Sequence, residues 1–240
     1  MKTAIIFGAT SGIGKAISEI LIKEGYKIAV TGRRLENLEA LKNKYSEQVF
    51  IVQNDIQKVD EVEKVFDEIV QEFKIIDLII QSSGVGYLNS KLEWKKEEET
   101  IKTNVIGVTK LYNLSYNLFR KQGSGHLVGI TSIASLRGNR SAPAYFSSKA
   151  YQKAYLESLY IKSKTIRSKK VFITDIRPGF VDTAMALGAN FFWMVPLDKA
   201  AKQIHTAIKN KKRVAYISKR WSLIALVLKI VPSWLLKKIM

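Results

Sequence analysis

Short, uniformly apolar runs alternate along the chain with longer runs whose apolar residues recur every three or four positions. "TAIIFG" (3–8), "KIAVTG" (27–32), "VFIVQ" (49–53), "IDLIIQ" (76–81), "GHLVGIT" (125–131), "VFITDI" (171–176) and "RVAYI" (213–217) read as strands. Helical spacing predicts helices over about 13–23, through Leu35, Leu38 and Leu41, through Val59, Val62, Val65, Phe66 and Ile69, and over roughly 97–120, 145–166 and 198–209. Strands that are apolar along their whole length and separated by helices imply a parallel sheet covered on both faces. No Pro/Gly/Ser linker and no repeat of fixed period interrupts the pattern. The expected fold is a single α/β domain, a doubly wound parallel sheet of about seven strands (a Rossmann fold) over 1–218, followed by a non-regular apolar and basic tail over 219–240.

Composition agrees: 240 residues, 47% apolar and 25% charged, suit one folded domain. The chain has no cysteine, which excludes disulfides and thiolate zinc sites and fits a reducing compartment. Met1-Lys2-Thr3 leads straight into an apolar run too short for a secretory signal, so a cytoplasmic location is expected. The net charge is +18, and from Lys199 to Met240 there are eleven Lys/Arg and no Asp/Glu. Nucleic acid, an anionic membrane or an acidic partner would each suit such a surface. No nucleic-acid recognition motif accompanies the charge, and no nucleic-acid partner is expected.

The first strand runs into Gly8, Gly12 and Gly14, ahead of a helical pattern. Glycines in a strand–turn–helix segment let the chain turn tightly and let a pyrophosphate approach the backbone at the helix N-terminus. A Walker loop is excluded twice: Ala9 stands where its first glycine belongs, and Ala16 where it needs Ser or Thr. NAD-binding units carry an acidic residue at the end of the second strand, for the ribose 2′-hydroxyl. Here that stretch is Thr31-Gly32-Arg33-Arg34. Two arginines and no carboxylate favour a 2′-phosphate, hence NADP over NAD, unless both are simply solvated at a helix start.

Tyr145 and Lys149 form Y-x-x-x-K at a helix start, on one helical face. The same spacing recurs at Tyr160 and Lys164, deep in the helix and away from the sheet edge, so that pair is assigned to packing and surface. Context singles out the first pair: Ser132, thirteen residues before Tyr145, follows the end of a strand, at the sheet edge where open α/β folds bind ligands.

Together with Asn104 in "TNVIG" and "RPGFVDT" (177–183), these motifs, in this order over about residues 1–183, resemble the short-chain dehydrogenase/reductase family. The resemblance implies a carbonyl or alcohol substrate and four catalytic residues. Tyr145 would be the general acid/base, its pKa lowered by Lys149. Lys149 would also hold the nicotinamide ribose, Ser132 would bind the substrate oxygen, and Asn104 would position a water. It implies cofactor contacts from Gly8, Thr10, Ser11, Gly12, Ile13 and Gly14, from Asp55 and Ile56 at the adenine, and from Ser83 and Gly84. Pro178, Gly179, Val181 and Thr183 would line the nicotinamide pocket. Where the family has Asn-Asn-Ala-Gly after the fourth strand, this chain has Gln81-Ser82-Ser83-Gly84. A homo-oligomer, dimer or tetramer, is expected. His126 and His205 lack ligand-spaced partners, and no metal is expected.

The resemblance also makes 187–195, "LGANFFWMV", a substrate lid, whose aromatic residues suggest a large apolar substrate of lipid, steroid or acyl type. A reductase of carrier-bound 3-oxoacyl groups and a non-catalytic NADP-binding scaffold stand as alternatives; the full Asn104/Ser132/Tyr145/Lys149 set argues against the latter. The tail "KRWSLIALVLKIVPSWLLKKIM" is too short an apolar run to span a bilayer. Two readings of it stay open: a helix in a membrane interface, which would bring the protein to the inner membrane surface, or a segment packed on the substrate pocket or a second subunit.

Overall fold

The structure, a computed structural model, describes residues 1–165, 170–184, 193–232 and 234–235. Seven strands form one parallel sheet: β1 (Thr3–Phe7), β2 (Lys27–Gly32), β3 (Val49–Gln53), β4 (Leu78–Gln81), β5 (Ser124–Ile130), β6 (Lys170–Pro178) and β7 (Val214–Ile217). Their order is β3-β2-β1-β4-β5-β6-β7, so the strand order reverses between β1 and β4. Loops leaving the strand ends diverge there, opening a crevice at the carboxyl edge.

The helices are α1 (Gly12–Lys23), α2 (Leu35–Lys44), α3 (Val59–Phe73), α4 (Trp94–Ile101), α5 (Val108–Gln122), α6 (Pro143–Lys164), α7 (Leu197–Lys209) and α8 (Trp221–Ile230). Side chains alternate along each strand, so the central strands feed two cores. On one face Ala4, Ile6, Ile28, Val30, Leu78 and Ile80 pack with Ile17 and Leu21 of α1 and Ile204 of α7. On the other, Ile5, Phe7, Ala29, Ile79 and Leu127 pack with Phe66 of α3, Leu111 and Phe119 of α5 and Leu156 of α6. This two-sided burial explains why the strands read as unbroken apolar runs.

Two expectations need correction. The stretch expected as one helix over 97–120 is α4 and α5 joined by a π-helical turn, Lys102–Gly107, whose wider winding does not disturb apolar spacing enough to show in the sequence. The tail expected to be non-regular contains α8, because Trp221 and Ala225 find burial against the domain. Residues 187–192 of the expected lid, Ile166 at the end of the expected sixth helix, and Ser233 and 236–240 of the tail lie outside the described residues.

Candidate active site

The chain leaves β1 at Gly8, where φ is +86°, and the amides of Gly8 and Ala9 both donate to the Thr31 carbonyl of β2, at 2.9 and 3.0 Å. A Cβ on Gly8 would stand 2.5 Å from the Ser83 backbone nitrogen, and one on Gly14 would overlap the Gly8 carbonyl oxygen. Helix α1 therefore starts directly against the turn. Ser11 at its N-cap makes no side-chain capping bond, so the first-turn amides and the positive end of the helix dipole face the crevice. Ile13 packs down onto the core. Thr183 stands across from Gly12, where an added Cβ would touch its methyl group at 3.4 Å.

Arg34 reaches back over this turn. Its Nη2 donates to Thr10 Oγ1 at 2.8 Å and to Ser11 Oγ at 2.7 Å. Arg33 is more exposed and forms a loose ion pair with Glu99, 3.9 Å away. Two cations thus stand at the end of β2 beside the glycine turn, one braced and one loosely held. Past β3, Asp55 accepts the Gln57 amide on its own Oδ1 at 3.1 Å, and Ile56 is buried beside Gly107. After β4 the Gln81 side chain donates to the Ser83 carbonyl at 2.8 Å, fixing the loop that carries Ser83 and Gly84.

Asn104, Ser132, Tyr145 and Lys149 meet beyond β4 and β5. Asn104 is fully buried in the π-helical turn. Its carboxamide clamps the Val85 backbone, with Nδ2 donating to the carbonyl at 2.7 Å and Oδ1 accepting the amide at 2.9 Å. Nδ2 also donates to Ser148 Oγ, at 3.1 Å. The clamp sets the height of the Gly84–Gly86 loop, and a Cβ on Gly86 would press to 2.8 Å from the Tyr145 ring. Ser132 begins the turn after β5, where its Oγ accepts the Ala134 amide at 3.1 Å. Its hydroxyl faces the Pro178 carbonyl at 3.5 Å and lies close enough to the Tyr145 hydroxyl to favour its ionised form. Lys149 lies one helical turn beyond Tyr145. Its Nζ donates to the Ile130 carbonyl at 3.1 Å and to Gln152 Oε1 at 3.2 Å, and stands 5.9 Å from the centre of the Tyr145 ring. A Cβ on Gly84 would be 3.3 Å from Asn104 Oδ1 and 3.5 Å from Lys149 Nζ, so these groups close tightly on the loop.

The electrostatics differ from expectation. Burial holds the Tyr145 hydroxyl above its ordinary pKa, and the neighbouring Ser132 hydroxyl only partly offsets this. The Lys149 amine makes its hydrogen bonds to Ile130 and Gln152, and burial disfavours its charged form. Its pKa falls to about 8, with the Asp175 carboxylate opposing the fall. The linkage has a definite sign. Between pH 8 and about 10 the unfolded chain holds a proton on Lys149 that the folded chain gives up, so stability rises with pH. The advantage of wild type over Lys149→Met should therefore grow by about 2 kcal/mol from pH 8 to pH 10, as read from urea unfolding at both pH values. A difference that stays constant or shrinks would show that the amine is not buried in this way.

Gln152 was not evident from sequence, yet it joins the cluster by accepting from Lys149 and donating through Nε2 to the Asn104 carbonyl at 2.7 Å. Its position three residues after Lys149, on the same helix face, was the available signal. Pro178 ends β6 and Gly179 follows, its amide donating to the Ile217 carbonyl at 2.6 Å. A Cβ on Gly179 would overlap the indole of Trp221, a second residue that sequence reasoning missed. Beyond it, Val181 bridges to Val195. The Thr183 hydroxyl donates to the Val181 carbonyl at 3.4 Å. Apart from Asn104, Tyr145 and Lys149, the expected site residues thus lie at the carboxyl ends of β1–β6 or on the loops and helix start that follow them; Asn104 comes from the π-helical turn between α4 and α5. Tyr145 and Lys149 come from the start of α6.

The other tyrosine–lysine pair, Tyr160 and Lys164, lies in the last turns of α6, where Tyr160 stacks with Arg213. His126 is buried against Thr174 at 2.7 Å, and burial together with Lys211 lowers its pKa to about 4. Among the described residues no group of three or more His, Asp or Glu side chains is placed to hold a metal ion.

A family model described as short chain dehydrogenase matches residues 2–190. An uncharacterized oxidoreductase of Myxococcus xanthus (strain DK1622) is 31% identical over 195 residues, covering 79% of this chain and 76% of that protein. Among solved structures, an alcohol dehydrogenase from the archaeon Thermococcus sibiricus, complexed with 5-hydroxy-NADP, superposes with a TM-score of 0.78 at 27% identity over 90% of this chain and 95% of that one. A short chain dehydrogenase/reductase from Burkholderia phymatum in complex with NAD gives a TM-score of 0.84 at 19% identity, covering 94% of this chain and 92% of that one, a likeness of fold.

Proposed function

The chain belongs to the short-chain dehydrogenase family, and on that premise we propose that it is an NADP-dependent oxidoreductase for a carbonyl/alcohol pair on an apolar small molecule. The observation that carries this reading is the convergence of Ser132 and Tyr145 beside the buried Lys149 amine, whose Nζ stands 5.9 Å from the centre of the Tyr145 ring, at the carboxyl edge of the sheet. The site fits a dinucleotide: the turn at Gly8–Gly14 is packed so closely on Ser83 and on itself that Gly8 and Gly14 admit no side chain, at a helix N-terminus without a side-chain cap. Gly8, Thr10, Ser11, Gly12, Ile13 and Gly14 would hold the diphosphate, Arg33 and Arg34 the 2′-phosphate, and Asp55 and Ile56 the adenine. Ser83, Gly84, Lys149 and the stretch Pro178, Gly179, Val181 and Thr183 would hold the nicotinamide half.

NADPH, when bound, supplies the hydride for the carbonyl carbon. This chain's own task is the proton and the oxygen. Tyr145 Oη gives its proton to the carbonyl oxygen as negative charge develops there, and the Ser132 hydroxyl donates a hydrogen bond to the same atom. A phenol is protonated at neutral pH, and burial of Tyr145 acts in the same direction, so the resting site holds the proton that reduction requires. Lys149 stands behind the phenol as the next proton source, and Gln152 and Asn104 act by positioning Lys149. Phe180 and Trp193 meet Trp221 edge-on, with ring centres 5.5 and 6.4 Å apart, in an apolar rim beside Gly179; this rim supports an apolar substrate.

We take residues 1–218 as the catalytic unit and 219–240 as its appendage, in a cytoplasmic homo-oligomer. The test is turnover of a panel of ketones, aldehydes, steroids and 3-oxoacyl thioesters with NADPH, and of the matching alcohols with NADP. Long-chain or polycyclic carbonyls should be turned over with the highest kcat/KM. A preference for carrier-bound thioesters would move the substrate to the acyl-carrier class, and no turnover of any member would count against the enzyme reading.

A further inference from the structure

Helix α8 presents apolar residues on two sides. Its inner side holds Trp221 and Ala225, both buried, with the Trp221 indole seated on Gly179. Arg137, from the segment following Ser132, ties down the other end: its Nε donates to the Leu228 carbonyl at 2.5 Å, and its Nη2 to those of Lys229 and Val231 at 3.0 and 2.8 Å. Those carbonyls are ones a helix end leaves without internal partners. The helix is thus fastened to both loops that flank Tyr145, the one after β5 and the one after β6.

The outer side is a stripe at helical spacing, Leu223, Leu226, Val227 and Ile230, continued past Pro232 by Trp234. These five residues are between 52 and 73% exposed. A helix at the surface of a globular domain ordinarily turns polar residues to water, so this face lacks its natural surroundings. Its border is cationic. Lys219 and Arg220 precede it and Lys229 lies within it, all exposed, and no Asp or Glu occurs from Lys199 to the C-terminus. Docking a second copy here in two-fold fashion would bring like charges together around the apolar stripe. An anionic lipid surface instead offers phosphate to the cations, acyl chains to the leucines and a headgroup layer for Trp234. The helix, ten residues and about 15 Å long, cannot cross a bilayer core. Among the described residues no helix is long and apolar enough to do so.

We propose that the outer face of α8 seats on an anionic membrane surface, bringing the mouth of the adjoining substrate site to the lipid. The second half of this proposal rests on the functional reading above; the first does not. Full-length protein is sedimented with vesicles of phosphatidylcholine alone and of phosphatidylcholine with phosphatidylglycerol. It should pellet with the anionic vesicles, pellet weakly with the neutral ones, and release as salt rises. Leu226→Glu with Ile230→Glu should weaken association by about tenfold or more, with an unchanged melting temperature and unchanged turnover of a water-soluble ketone. Lys219→Gln with Lys229→Gln, which leaves the apolar stripe intact, should weaken binding and flatten its salt dependence. Wild-type protein left in the supernatant with anionic vesicles, or an acidic double variant that pellets like wild type, would overturn the proposal. So would a wild-type dimer that becomes a monomer in the acidic variant without any vesicle binding, which would assign the face to a second copy. Sedimentation needs no turnover, so a failed enzyme reading and a failed membrane reading give different results.

Discussion

Tyr145→Phe should cut turnover by about 10²–10⁴-fold while leaving NADPH affinity within a few-fold of wild type. The substitution removes one oxygen. The ring keeps its place against Gly86 and Phe146, so packing survives. The lost group is the proton donor beside the Ser132 hydroxyl. A carbonyl oxygen gaining charge would then have Ser132 as its hydrogen-bond donor, but no acid that could give up a proton at neutral pH. Steady-state kinetics with the best carbonyl substrate, paired with a fluorescence titration of NADPH, separates chemistry from binding. Parallel loss of both would mean that Tyr145 only supports the fold of the site, and undiminished turnover would remove it from the mechanism.

The second large effect is expected at the end of β2. Arg33→Ala with Arg34→Ala should lower kcat/KM for NADPH by roughly 10- to 150-fold and that for NADH by a much smaller factor, since a charged hydrogen bond contributes about 1.5–3 kcal/mol. The two arginines are not equivalent. Arg34 already donates to Thr10 and Ser11, so its loss also loosens the glycine turn and should cost NADH some affinity. Arg33 has only a distant, exposed ion pair to give up, and its single substitution should act on NADPH alone. Equal losses for the two cofactors in the double variant would place the 2′-phosphate elsewhere, or show that NAD is the natural partner.

Much of this site was legible in the sequence because its parts are local. Gly8, Gly12 and Gly14 sit within one turn, Tyr145 and Lys149 within one turn of α6, and Ser132 directly after a strand whose apolar run marks its end. The seven-stranded parallel sheet follows from the alternation of runs, since parallel strands buried on both faces carry a plain signal, whereas the strand order comes from the structure. What was not legible depends on long-range contacts. The π-helical turn at Asn104 inserts its extra residue without altering the apolar face. The clamp from Asn104 to Val85 joins residues 19 apart, and the bond from Gln152 to Asn104 joins residues 48 apart. No periodicity encodes either. The expectation that Lys149 lowers the Tyr145 pKa came from the family resemblance and from the effect of a neighbouring ammonium on a phenol. The structure aims the amine at Ile130 and Gln152 and leaves burial to dominate both groups. In the tail, Pro232 and the dense apolar run concealed a short helix, which exists because Trp221 fits the space that Gly179 leaves and Arg137 caps the far end.

Hydride transfer supported by the Tyr145 proton is the central claim, and the most direct measurement runs the carbonyl panel with NADPH deuterated at both C4 positions. Mass spectrometry of the product should find one deuterium on the former carbonyl carbon with wild-type protein, and labelled product only at trace levels with Tyr145→Phe. Alcohol formed without deuterium, or labelled alcohol formed equally well by both proteins, would contradict it.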